Sequence, residues 1–169
     1  ECYDRPDLEL PAHQKNLLRA VQAANPNTVL TVVSSYPYAL GEAKELLPAI
    51  LYTTHAGPEL GNAVADTLLG KNNPAARCPI TWYRSAQDLP DIMEYDIISA
   101  ERTYLYDTVE PLFPFGHGLS YSSFVYRDFT AEEKPEGMLF RLTVENTSQR
   151  DGDEVVQLYY RALHPRVKR

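Results

Sequence analysis

Between residues 12 and 24, Leu17, Leu18, Val21 and Ala24 recur at helical spacing and Asn25-Pro26-Asn27 follows at once. The pattern predicts a helix that stops where proline cannot continue it. Residues 28–34, Thr-Val-Leu-Thr-Val-Val-Ser, form a short apolar run rich in β-branched side chains, the signature of a strand buried on both faces of a sheet. A second helix is predicted over 39–47 and a second buried strand over 49–53. A third helix is predicted over 58–69, with Pro58 in its first turn and Gly70 just past its end. This alternation of helix and strand predicts an α/β domain: an open, mostly parallel sheet with flanking helices. In such sheets ligands favour the loops that leave the carboxyl ends of the strands. Residues 34–38 and 54–57 are those loops, and parallel strands place them on one rim.

A short edge strand is predicted over 78–83, where Pro79 is tolerated. From residue 84 to 121 the periodicity disappears, and Pro90, Pro111 and Pro114 among many aromatics predict a long, packed connector. Its last part, Phe113-Pro114-Phe115-Gly116-His117-Gly118-Leu119-Ser120-Tyr121, specifies a backbone shape: Pro114 fixes its own φ, and Gly116 and Gly118 permit positive φ or close approach. This block is expected to act as an interdomain clasp with Phe115 buried and Gly118 serving either a positive φ or a close approach. Beyond it the period switches to two. Met138, Phe140, Leu142 and Val144 share one face, Asp151-Gly152 marks a turn, and Val156, Leu158 and Tyr160 continue the alternation. About three strands cannot close a sandwich, so this end reads as an incomplete all-β sandwich and the chain is expected to stop inside a domain. The organisation expected is therefore 1–83 for the α/β part, 84–121 for the connector and 122–169 for the truncated sandwich.

A net charge of −7 excludes the clustered basic face that nucleic acid requires, since the basic residues Arg166, Lys168 and Arg169 lie together only at the end of the chain. No apolar run approaches the ~20 residues that span a bilayer, so no membrane partner is expected. Cys2 and Cys78 are too few for a disulfide framework or a metal site, and neither a metal nor a cofactor is expected.

Several pieces occur in a fixed order. They are Asp4-Arg5 with Leu10-Pro11 and Gln14, then Asn25-Pro26-Asn27-Thr28-Val29, then the stretch from Gly57 to Asp66. Asn73-Pro74, Pro79 with Thr81-Trp82, Arg102-Thr103-Tyr104, the Phe113 block and Gly152 to Tyr159 follow. This ordered set resembles glycoside hydrolase family 3, from its carboxyl-terminal α/β domain into the start of its fibronectin type III-like domain. The chain departs from the family at Gly57-Pro58-Glu59, at Asn73-Pro74-Ala75-Ala76-Arg77 and at Cys78-Pro79, where Gly-Gln-Glu, Asn-Pro-x-Gly-Arg and Leu-Pro are common.

The resemblance implies a retaining β-glycosidase acting on β-linked glucosides or xylosides, with a carbohydrate substrate. It also implies an aspartate nucleophile on an amino-terminal barrel domain missing from this chain. Retention needs two carboxyls ~5–5.5 Å apart, one attacking the anomeric carbon and one serving as acid and then base. The family's nucleophile follows a serine, and no Ser-Asp pair exists here, so these residues alone are expected to be inactive. The resemblance makes Glu1, three residues before Asp4-Arg5, a candidate acid/base, while the residue also reads as one that lines the site or as a cut end whose meaning lies in residues before it. Asp4-Arg5 reads as an ion pair organising its loop or as a sugar contact. His55, on the rim, is a candidate substrate-binding residue or a hydrogen-bonding support behind one, and His117 braces its loop. Trp82, Tyr83 and Tyr104 suit either sugar stacking or packing. The competing reading is a non-catalytic carbohydrate-binding or scaffolding module.

Overall fold

A computed structural model describes residues 7–161 together with residues 163 and 164. Helix α1 spans Ala12–Ala24, strand β1 Val29–Val33, helix α2 Gly41–Leu46, strand β2 Ala49–Thr53 and helix α3 Leu60–Leu68. A one-turn helix α4, Thr103–Tyr106, precedes the long strands β3, Phe124–Lys134, and β4, Gly137–Asn146. The fold is thus mixed, with a small parallel sheet and an antiparallel one. Two compact units divide the described chain: one takes in residues up to 60 and 78–117 with the last residues from 160, the other 61–77 and 118–159.

In the first unit β1 and β2 pair in parallel, from Val29 beside Ala49 to Val33 beside Thr53. Val32, Leu40, Ala43, Leu47, Trp82 and Leu112 make the buried core, with Leu18, Tyr52 and Phe113 packed against it. Both strands were expected to be buried on both faces, and they are not. Among the described residues the parallel sheet has two strands, so Val29 and Val33 stay exposed while Val32 alone of β1 is buried. Of the α1 stripe, Leu18 reaches the core while Leu17 and Val21 face solvent. The strand expected over 78–83 reduces to a single bridge between Trp82 and Phe113, because Pro79 has no N–H to extend a ladder. Around it the connector folds back: Cys78 N–H donates to His117 O at 2.7 Å and Gly116 N–H to Cys78 O at 2.8 Å. Lys44 reaches across to donate to Leu112 O at 2.9 Å, and its ammonium lies 5.0 Å from the Phe113 ring centre.

Within the signature block the burial falls on a different ring from the one expected. Phe113 packs on Trp82 at 6.1 Å and on the His117 ring at 4.9 Å, whereas Phe115 is 40% exposed. His117 braces the loop through that stacked contact and its backbone bonds.

In the second unit Gly70, at φ +71, ends α3, with Lys71 N–H and Asn72 N–H both donating to Asp66 O. Asn73 is a hub: its side chain donates to Ser122 Oγ and Asp151 O and accepts from Ser120 Oγ and Tyr121 N–H. Arg150 donates to Gly70 O and Asn72 O, and Arg77 pairs with a poorly exposed Glu154 at 2.6 Å. β3 and β4 form a hairpin closed at Lys134 and Gly137. A bulge between Arg127 and Thr130 carries Asp128 at φ +55 and swings Phe129 onto Phe140, 6.1 Å away. The third strand expected around Val156, Leu158 and Tyr160 is absent from the described residues, since that stretch finds no strand partner.

Gly118 is required by approach, not by torsion. Positive φ belongs to Gly116, at +83, and a Cβ on Gly118 would stand 2.4 Å from Ala76 O and 2.8 Å from Arg77 Cδ. Backbone oxygen cannot yield as a side chain can. Gly118→Ala is therefore expected to destabilise by ~1–3 kcal/mol, the usual range for overpacking, read as a fall in Tm. Gly116→Ala should cost ~1–2 kcal/mol through its left-handed torsion alone. Gly118→Ala melting at the wild-type temperature would contradict this.

Candidate active-site rim

The buried hydroxyl of Ser34, at the carboxyl end of β1, sets the geometry of the rim. Ser34 is 2% exposed; its Oγ donates to Tyr36 O at 2.8 Å and accepts from Tyr36 N–H at 3.2 Å, so both sides of one backbone unit are held. Ser34 N–H donates to Thr53 O at 3.0 Å and Tyr52 Oη donates to Ser34 O at 3.1 Å, which ties this turn to β2. Pro37 restricts the next torsion. The result is a rigid turn that leaves Tyr36 42% exposed, its ring backed by half-buried Tyr38 at 5.4 Å and 37°.

The second loop meets the first as the parallel register requires. Exposed His55 places Nδ1 2.8 Å from Ser35 Oγ, which orients the imidazole and leaves Nε2 directed away from that bond. Residues 8 and 9 run beside the far end of the first loop: Ala39 N–H donates to Leu8 O at 2.8 Å and Glu9 bridges Ala39 in parallel. Leu8 and Glu9 therefore lie next to the rim. Glu1 itself, with Cys2 and Asp4-Arg5, lies outside the described residues.

Other candidates separate into packing. Trp82 is 1% exposed between Tyr52 and Phe113, which removes it from sugar stacking. Tyr83 sits beside Asp107, and burial followed by that carboxylate pushes its phenol up to about 12, so it stays neutral across the physiological range. Cys78 is a free, half-buried thiol whose pKa burial raises, which keeps it protonated and poorly nucleophilic at neutral pH. Among the described residues no group of histidine, cysteine and carboxylate side chains could hold a metal ion. The structure places His55 on the rim where the sequence expects it, beside the exposed Tyr36 of the Ser-Ser-Tyr-Pro-Tyr run, which the sequence alone did not single out.

The family model described as "Glycosyl hydrolase family 3 C-terminal domain" matches residues 1–121. A probable beta-glucosidase J of Aspergillus fumigatus is 38% identical over 180 aligned positions, covering 95% of this chain and 21% of that protein. A xylan 1,4-beta-xylosidase of Xylanibacter ruminicola is also 38% identical, over 95% of this chain and 18% of its own length. Among solved structures, beta-glucosidase 3B of Thermotoga neapolitana in complex with glycerol superposes with a TM-score of 0.78 at 28% identity, over 88% of this chain and 23% of that one. The chain spans about a fifth of the length of the curated relatives it matches.

Proposed function

The chain belongs to glycoside hydrolase family 3, and from that premise we propose that it is the carboxyl-terminal part of a retaining β-glycosidase releasing terminal β-linked glucose or xylose. The observation that carries this reading is the family match over residues 1–121 together with 38% identity to proteins named as a β-glucosidase and a β-xylosidase. Glu1 is assigned as acid/base and His55 as a substrate-binding residue on the rim. The nucleophile belongs to an amino-terminal barrel, since these residues hold no Ser-Asp pair. Residues 1–83 then form the α/β wall of the site, 84–121 the connector and 122–169 the opening of a fibronectin type III-like sandwich. The exposed apolar face of the hairpin, with Tyr126, Phe129, Met138, Phe140 and Val144, supports that last assignment, because a sandwich would cover it.

Retention runs as a double displacement. The aspartate attacks the anomeric carbon while Glu1 gives its proton to the departing glycosidic oxygen. Water, deprotonated by the same carboxylate, then cleaves the glycosyl ester. The test is to express the protein at its relatives' length and assay aryl β-glucosides and β-xylosides, following the product anomer by proton NMR. The β-anomer is expected first from the long protein, with no turnover from residues 1–169 alone. No turnover from the long protein, or the α-anomer first, overturns the reading.

A further inference from the structure

We propose that residues 91–99, with the cleft beside Asp107, form a docking surface for the amino-terminal part of the same polypeptide, which presents to it an apolar face carrying a lysine or arginine. The inference rests on the reading above of the chain as part of a longer glycosidase and adds an interface to it.

Residues 91–99 turn the usual arrangement of a loop inside out. Asp91 Oδ1 accepts from Met93 N–H, Glu94 Oε1 from Asp96 N–H and Asp96 Oδ1 from Ile98 N–H, each at 2.9 Å, and the Arg102 guanidinium donates to Glu94 O and Asp91 O. Polar side chains thus hold the loop's own backbone, while Ile92 and Tyr95, both 80% exposed, and Met93, 69% exposed, stand in solvent with Ile97 and Ile98. Apolar side chains clustered on the surface mark an interaction site, and a backbone ordered beforehand loses little freedom when it is covered. Beside the loop, Tyr83, Leu89, Pro90, Glu101 and Asp107 line a cleft of about 130 Å³, room for the end of a side chain. Asp107 Oδ1 accepts from Val109 N–H at 2.8 Å, but its Oδ2 is buried with no hydrogen-bond partner among the described residues. The Tyr83 phenol beside it stays neutral and leaves the carboxylate's charge uncompensated. A buried carboxylate oxygen calls for a donor, and a cationic donor binds it most strongly.

Charge decides what covers the surface. Asp88, Asp91, Glu94, Asp96, Glu101 and Asp107 stand against Arg102 alone in residues 88–107, so a second copy would bring the same acidic face against this one, and like charges across an interface are strongly unfavourable. A basic partner is required. The relatives point to its source: this chain spans about a fifth of their length, so most of a protein of that size lies beyond these residues. The root of the loop is also fixed to the amino-terminal side of the unit, where Ala86 N–H donates to Glu9 Oε1 at 3.2 Å.

The experiment puts a photo-crosslinking ring on the surface, Tyr95→p-benzoylphenylalanine, in the protein at its relatives' length, and Met93→p-benzoylphenylalanine repeats it at a second exposed position. Irradiation is expected to give a product of monomer mass in which the peptide around position 95 is joined to one preceding residue 1. A lysine or arginine should lie within about one helical turn of the linked residue. A product of dimer mass, which marks a second copy, overturns the proposal; so does the absence of any crosslink, which marks an open surface, or a linked segment with no basic residue. The basic residue so found is then changed to glutamine, alone and together with Asp107→Asn, which keeps the acceptor for Val109 N–H. Each single variant is expected to lower Tm by about 2–4 °C, the scale of one hydrogen bond, and the double variant to fall no further than the lower single. Additive losses, or an Asp107→Asn Tm equal to wild type, overturn the seat for a cation. A long protein that crosslinks as expected but hydrolyses neither aryl β-glucosides nor β-xylosides refutes the glycosidase reading and leaves the interface standing; an active protein without the crosslink does the reverse.

Discussion

Glu1→Gln, in the protein at its relatives' length, is expected to lower kcat/KM on disaccharides by ~10²–10⁴-fold, the contribution typical of a positioned general acid. The loss should depend on the leaving group. A sugar alcohol needs a proton as its bond breaks, whereas a dinitrophenolate departs without one, so aryl substrates should form the glycosyl-enzyme almost normally and then stall. Azide should restore turnover on those substrates by attacking the anomeric carbon, forming a C–N bond and releasing the aspartate. The alkaline limb of the pH–rate profile should vanish as well, because that limb reports ionisation of the acid. Azide without effect and an alkaline limb that persists would leave Glu1 as a residue that merely lines the site.

Much of the first unit could be read from local periodicity. The helix expected at 12–24 and the strand at 49–53 occur with those bounds, because Asn25-Pro26 and the short apolar run Ala49-Ile50-Leu51 act on their own backbone. The shared rim followed from parallel pairing alone, and the 2.8 Å contact between Ser35 and His55 is its consequence. What local pattern cannot encode is partnership between distant segments. The stretch around Val156 to Tyr160 alternates as a strand should, yet a strand exists only by pairing, and among the described residues none pairs with it. Gly118 illustrates the same limit: glycine signalled an unusual backbone, but whether torsion or crowding demanded it depended on Ala76, far away in sequence. The exposure of Tyr36 beside the buried Ser34 is likewise a tertiary fact. The candidacy of Glu1 as acid/base rests only on likeness to a family, from its spacing before Asp4-Arg5.

Trp82→Ala is expected to be the most destabilising substitution among the described residues of the first unit, at ~3–5 kcal/mol, the range for emptying a buried aromatic site. The ring is 1% exposed, meets Tyr52 edge-on at 4.7 Å and Phe113 at 6.1 Å, and supports the bridge that returns the connector to the core. Alanine keeps the backbone bonds of that bridge, Trp82 N–H to Phe113 O at 2.9 Å and Leu112 N–H to Trp82 O at 2.8 Å, so the loss isolates the side chain. A second variant separates volume from polarity. The indole Nε1–H is buried and meets no acceptor among the described residues, and an unmet buried donor costs ~1–3 kcal/mol. Trp82→Phe removes that donor together with one ring's worth of volume, two effects of opposite sign, and should therefore cost less than ~1.5 kcal/mol, in line with shape-conserving swaps. Trp82 is the only tryptophan in these 169 residues, so the measurement is thermal and urea unfolding by circular dichroism, because the fluorescent reporter leaves with the substitution. Equal destabilisation by alanine and phenylalanine would contradict both the unmet indole donor and the ring as the source of this stability.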